Sequence, residues 1–123
     1  MTDSQPHRIT VADVPGTVRV AVDGVTVAES TSAQVLREGS LPPRYYLPRE
    51  HVRMELLVPT ATSTTCPFKG AASYWTLELD GQRHEDLVWS YETPIPEAAE
   101  VKAMLSFYPD RAEVTVDGQP LRD

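Results

Sequence analysis

The sequence predicts a mainly β domain, a compact antiparallel small barrel or two-layer sandwich with one or two short helices. Three observations lead there. Asp-Gly pairs at Asp23-Gly24, Asp80-Gly81 and Asp117-Gly118 each stand between alternating or β-branched runs. Asp-Gly supplies the positive φ angles of a type I′ turn, whose twist matches the flanking strands. Eleven prolines are spread along the 123 residues and interrupt any long helical pattern. The remaining apolar segments are short, as in sheets closed or stacked to remove their edges.

The elements follow in order. Residues 1–8 are polar and read as a tail, leaving 9–123 as one domain of a size that suits a single core. In "VRVAVDGVTVAES" Val18, Val20 and Val22 share one strand face, and Arg19, Ala21 and Asp23 share the other. "SAQVLRE" (32–38) reads as one or two helical turns, capped by Ser32 and stopped by Gly39. "LPPRYYLPRE" is an extended, proline-bracketed segment presenting Tyr45 and Tyr46. "HVRMELLVP" alternates Val52, Met54 and Leu56 against Arg53, Glu55 and Leu57, as a strand does. "AASYWTLEL" runs as a strand into the second hairpin. "IPEAAEVKAML" opens a short helix over about 97–101, followed by a strand to Tyr108. Pro120 weakens the return strand of the third hairpin.

Charge and cysteine content narrow the function classes. A net charge of −7 argues against nucleic acid and anionic membrane as partners. It leaves room for a small anionic ligand held by a local basic cluster. One cysteine excludes an internal disulfide and a multi-cysteine zinc site. The first residues carry no apolar stretch of signal-peptide length, so a cytoplasmic protein is expected.

The chemistry-bearing types gather in "TSTTCPFKGAASYW" (62–75). Cys66 stands three residues from Lys69, close enough in a tight turn for the ammonium to favour a thiolate. Pro67 bends that turn, and Gly70 permits a close backbone approach. Thr62, Thr64 and Thr65 add hydroxyls, and lysine occurs again only at Lys102. His51 and His84 are read as exposed strand or turn histidines, with nothing in the sequence bringing either to Cys66. "HEDL" (84–87) sets three consecutive ligand types that cannot easily converge on one ion, so no metal site is expected. No phosphate-loop pattern is present. Adjacent aromatics on a strand point to opposite faces. Tyr45-Tyr46, Tyr74-Trp75 and Phe107-Tyr108 should therefore each give one ring to the core.

Three readings fit these residues, and no cofactor is expected in any of them. One is a small-molecule binder whose pocket is lined by Arg44, Tyr45, Tyr46, Lys69, Tyr74 and Trp75, with Arg44 and Lys69 holding an anionic group. Another is a thiol-dependent enzyme with Cys66 as its catalytic residue and Lys69 as electrostatic partner. The third is an interaction module, offering an aromatic patch or a sheet edge to a protein or to a second copy in a homodimer.

The order of "LREGSLPPRYYLPREHVRMELL", "TTCPFKGAASYW", "VWSYETPIPEAAEV" and "LSFYPDRAEVTVDG" resembles one bacterial family, domain of unknown function 427, sometimes labelled nucleotidyltransferase-like. The resemblance runs from about Thr17 to Gly118. Its most specific part is the Cys-Pro-x-Lys-Gly-x-Ala-x-Tyr pattern at Cys66, Pro67, Lys69, Gly70, Ala72 and Tyr74. It implies a compact β-rich domain with a site in the Cys66–Tyr74 segment. "EGSL" (38–41) is followed by prolines, without the paired aspartates of a two-metal transferase site.

Overall fold

The computed structural model describes residues 9–66 and 70–120, which form one small β domain. Its strands are β1 (Ile9–Asp13), β2 (Val18–Val22), β3 (Val25–Ser30), β4 (Gln34–Glu38), β5 (Arg44–Leu47), β6 (Leu57–Cys66), β7 (Gly70–Leu79), β8 (Gln82–Tyr91), β9 (Leu105–Phe107), β10 (Glu113–Val116) and β11 (Gln119–Pro120). A seven-stranded sheet has the order β1-β4-β5-β9-β8-β7-β6, and a four-stranded sheet the order β11-β10-β2-β3. All these pairings are antiparallel. The arrangement is a sandwich and not a closed barrel. The tail expected over 1–8 lies outside the described residues.

The three hairpin tips form where Asp-Gly predicts them. Asp23, Asp80 and Asp117 have φ of 51°, 52° and 51°, and the glycines after them 80°, 78° and 82°. The strand beyond Asp117-Gly118 is only two residues long and contains Pro120, as its missing N–H requires. Helical structure among the described residues is limited to three 3₁₀ segments, Arg49–His51, Met54–Leu56 and Pro96–Val101. The last occupies the helix expected near 97–101.

Two expectations are corrected. Residues 34–38 form β4 instead of helical turns. Val35 and Leu36 are both buried, in clusters on opposite faces of the large sheet, and a strand's two-residue period allows this. Of the strand expected over 51–59, residues 51–56 lie instead in and between two 3₁₀ turns, Arg49–His51 and Met54–Leu56. Val52 there bridges Ala28, and the strand begins only at Leu57.

Between the sheets lies the main core. Val18, Val20, Val22, Val27 and Val114 from the small sheet meet Leu47, Leu77, Leu87, Leu105 and Phe107 from the large one. The valines of β2 alternate with exposed or half-buried neighbours, as their spacing predicts. A second cluster covers the other face of the large sheet. There Leu36, Tyr46, Ala72, Trp89 and Tyr91 pack with Ala98 and Val101 of the Pro96–Val101 segment. Burying each leucine contributes about 2 kcal/mol. The Arg–Glu pairs are 38–62 % exposed, so each adds well under about 1 kcal/mol. Apolar burial holds the sandwich together.

Candidate functional site

The segment singled out in the sequence is the β6–β7 hairpin. Its last backbone pair is Cys66 with Gly70. The tip, Pro67, Phe68 and Lys69, lies outside the described residues, as does the Cys66 side chain. Gly70 has φ of 112°, and a Cβ there would stand 3.1 Å from the Thr93 carbonyl oxygen and 3.3 Å from Pro94 Cα. The close backbone approach expected at Gly70 is therefore that of the loop after β8.

Threonines behind the tip split between two roles. Thr60 and Thr62 each donate a 2.8 Å hydrogen bond to the Asp86 carboxylate, one to each oxygen. Asp86 has φ of 53° in an irregular stretch of β8, so the threonines hold the bulge in place. Thr64 Oγ1 lies instead 3.1 Å from the Tyr74 hydroxyl, on the face away from the small sheet.

The sheet separates the rings that the sequence grouped. Tyr45 and Trp75 belong to the inter-sheet core, where Arg49 stacks 5.3 Å from the Trp75 ring. Tyr46 and Tyr74 lie on the opposite face. Each adjacent aromatic pair gives one ring to the interior: Tyr46 is fully buried beside half-buried Tyr45, and Trp75 and Phe107 are buried beside half-buried Tyr74 and Tyr108.

Across the outer face the rings form a connected row. Trp89 Nε1 donates to Tyr46 Oη at 3.0 Å, with the rings edge-on at 6.2 Å. Trp89 then meets Tyr108 with ring centroids 4.4 Å apart. Tyr108 shares a phenol–phenol hydrogen bond with Tyr74 and feels the charges of Arg44 and Arg111. Register explains the approach of Arg44. Tyr46 pairs with Ser106, so continuing both strands by two residues sets Arg44 beside Tyr108. Arg111 is placed by the turn in which its N–H donates to the Tyr108 carbonyl at 3.0 Å. Burial, and then the Tyr74 hydrogen bond, push the Tyr108 phenol up to about 12.

Four arginines are neutralised locally: Arg19, Arg49, Arg53 and Arg83 each pair with a carboxylate. Arg37, like Arg44 and Arg111 of this row, has no such pair among the described residues. An open cleft of about 120 Å³ adjoins Arg44, lined also by Leu36, Glu38, Leu41 and Pro42. Of this row's donors, the Arg44 guanidinium borders the cleft, which it shares with the Glu38 carboxylate.

Of the expected ligand-binding residues, Arg44 and Tyr74 each neighbour Tyr108, and Tyr46 joins the same row through Trp89. Tyr108 and Arg111 were not among the candidates. Their signal was the "FYPDR" run (107–111), which sets an aromatic pair two residues before an Asp-Arg turn. The histidines go elsewhere. His51 Nδ1 is 2.7 Å from Ser30 Oγ, and His84 Nε2 is 3.4 Å from Asp23 Oδ2 across the two sheets. Among the described residues no three potential metal ligands gather, and no helix is long and apolar enough to cross a membrane.

A sequence model of the family described as a domain of unknown function, DUF427, matches residues 10–118. No curated protein matches the chain.

Proposed function

The chain belongs to the DUF427 family, and on that premise we propose that it binds a small anionic ligand at the Arg44–Tyr108–Arg111 corner, beside the β6–β7 hairpin. One observation carries this reading. In a chain of net charge −7, the β5–β9 register sets Arg44 beside Tyr108, the turn from Tyr108 carries Arg111, and neither arginine pairs with a carboxylate among the described residues. An anion accepting from both arginines supplies the missing charge, and Tyr108, Tyr74 and Thr64 add neutral donors. The packing of Trp89 against Tyr46 and Tyr108 holds the donors in place before a ligand arrives, which reduces the ordering cost of binding. Lys69 lies outside the described residues, and its ammonium is a further candidate contact for the same charge on the sequence pattern alone.

The test is a titration of the ¹⁵N-labelled protein with inorganic phosphate and, separately, with acetate. Saturable shifts centred on Arg44, Tyr108 and Arg111, lost in Arg44→Gln and in Arg111→Gln, are expected. Shifts that do not saturate, or that persist in both variants, would remove the proposal. Lys69→Ala measures whether the tip contributes to the same affinity.

A further inference from the structure

The β4–β5 connection sets two opposite charges around one cleft. Leu36 pairs with Arg44, so both side chains stand on one face of the large sheet, the face that carries Tyr46. Glu38 lies two residues beyond Leu36 on β4 and shares that face, diagonal to Arg44. Gly39, at φ of 56°, and a 3.0 Å hydrogen bond from Leu41 N–H to the Glu38 carbonyl then turn the chain back. Buried Leu36, exposed Leu41 and Pro42 complete the lining of the 120 Å³ cleft between Glu38 and Arg44. Among the described residues no ion pair joins Arg44 to a carboxylate, so Glu38 stands in its cleft without neutralising it.

Taking Arg44 as an anion contact, as in the function proposed above, we propose that the ligand is a free α-amino acid with a small apolar side chain. Its carboxylate accepts from the Arg44 guanidinium, and its ammonium donates to the Glu38 carboxylate. Diagonal neighbours on adjacent strands are roughly 7–8 Å apart, a gap that a ligand with two adjacent opposite charges spans. A carboxylate offers about four acceptor positions, so the ammonium adds to the contact Glu38 already makes.

Charge and size point the same way. Glu38 is a 6 % exposed acid, and it opposes a simple anion beside Arg44. The ammonium of a zwitterion removes that penalty, and a ligand of no net charge escapes the repulsion of a chain at −7. The cleft is well below the roughly 300–1,000 Å³ of pockets for drug-sized ligands, which suits a molecule of few atoms. Leu41, 56 % exposed, and Pro42 give a short side chain an apolar contact.

The test titrates the ¹⁵N-labelled protein at neutral pH and constant ionic strength with L-alanine, propionate and ethylamine. Propionate is alanine without its ammonium, and ethylamine is alanine without its carboxylate. Saturable shifts across residues 36–44 are expected, with alanine at least about tenfold tighter than either fragment, because each charged end adds a charge-assisted hydrogen bond. Glu38→Gln should bring alanine to the affinity of propionate, and Arg44→Gln should abolish binding of both. Propionate binding as tightly as alanine would overturn the amino-acid proposal and leave the anion site standing. So would alanine failing to saturate while phosphate still binds. Failure of phosphate and alanine alike would remove both readings. The ranking of the three ligands on the unaltered chain decides the matter even if Glu38→Gln folds poorly.

Discussion

Tyr108 joins three parts of the outer face: its ring meets Trp89, its hydroxyl meets Tyr74, and two arginines act on it. Its phenol is pushed from the ordinary 10.0 up to about 12, first by burial and then by Tyr74. A folded-state pKa above the unfolded one means that the neutral phenol's contribution to stability is complete below pH 10. It is lost as pH rises toward 12. Urea denaturation across that interval should show wild-type stability falling more steeply than that of Tyr108→Phe, which keeps the ring and cannot ionise. Parallel curves would show that the phenol titrates alike in both states. Tyr46 makes a second residue-scale case. It is 0 % exposed and accepts from Trp89 Nε1, so Tyr46→Phe leaves a buried indole N–H unpaired. The expected cost is about 1–3 kcal/mol in equilibrium unfolding. A cost below about 0.5 kcal/mol, the low end for a net hydrogen bond, would mean the indole finds another acceptor.

At the scale of elements, turns and bulges place the strands. Gly16 has φ of 111°, and a Cβ there would fall on the Asp117 carboxylate. Asp117 cannot swing away freely, because its Oδ1 accepts from Thr17 N–H at 2.8 Å and its own N–H donates to the Thr17 carbonyl at 2.8 Å. Gly16→Ala should therefore cost about 1–3 kcal/mol of strain. Gly24→Ala, where nothing lies within 4 Å of the added carbon, should cost less despite its φ of 80°. Chemical denaturation of the two variants side by side checks the order. How much of this was legible follows from what is local. An Asp-Gly turn is decided by two residues, so all three tips could be read directly. The β4 segment could not, because Val35 and Leu36 are both buried and only the surrounding layers show that they face opposite ways. The candidate site divides likewise. Arg44 and Tyr74 stood out as a charge and a ring near a distinctive hairpin. Tyr108 and Arg111 join them only through the non-local pairing of β5 with β9.

For the whole molecule, the large sheet has a layer packed on each face, and neighbouring residues of one strand serve different layers. Leu47 lies between the sheets while Tyr46 lies beneath the Pro96–Val101 segment. The two tryptophans divide in the same way, Trp75 inside the sandwich and Trp89 in the outer layer. Because the backbone of β5, β7 and β8 is common to both layers, neither can loosen without disturbing strands that the other needs. A single cooperative transition is expected. Trp75→Phe and Trp89→Phe each leave one indole to report, and the two fluorescence transitions should have coincident midpoints once normalised to far-UV circular dichroism of the same variant. Val101 is 0 % exposed in the outer layer, and Val101→Ala should cost about 2 kcal/mol and lower the midpoint from both probes together. If the Trp89 signal alone moved earlier, the Pro96–Val101 cover would open as a separate unit. The Arg44–Tyr108–Arg111 corner, built on that same face, would then be a site whose order depends on the cover.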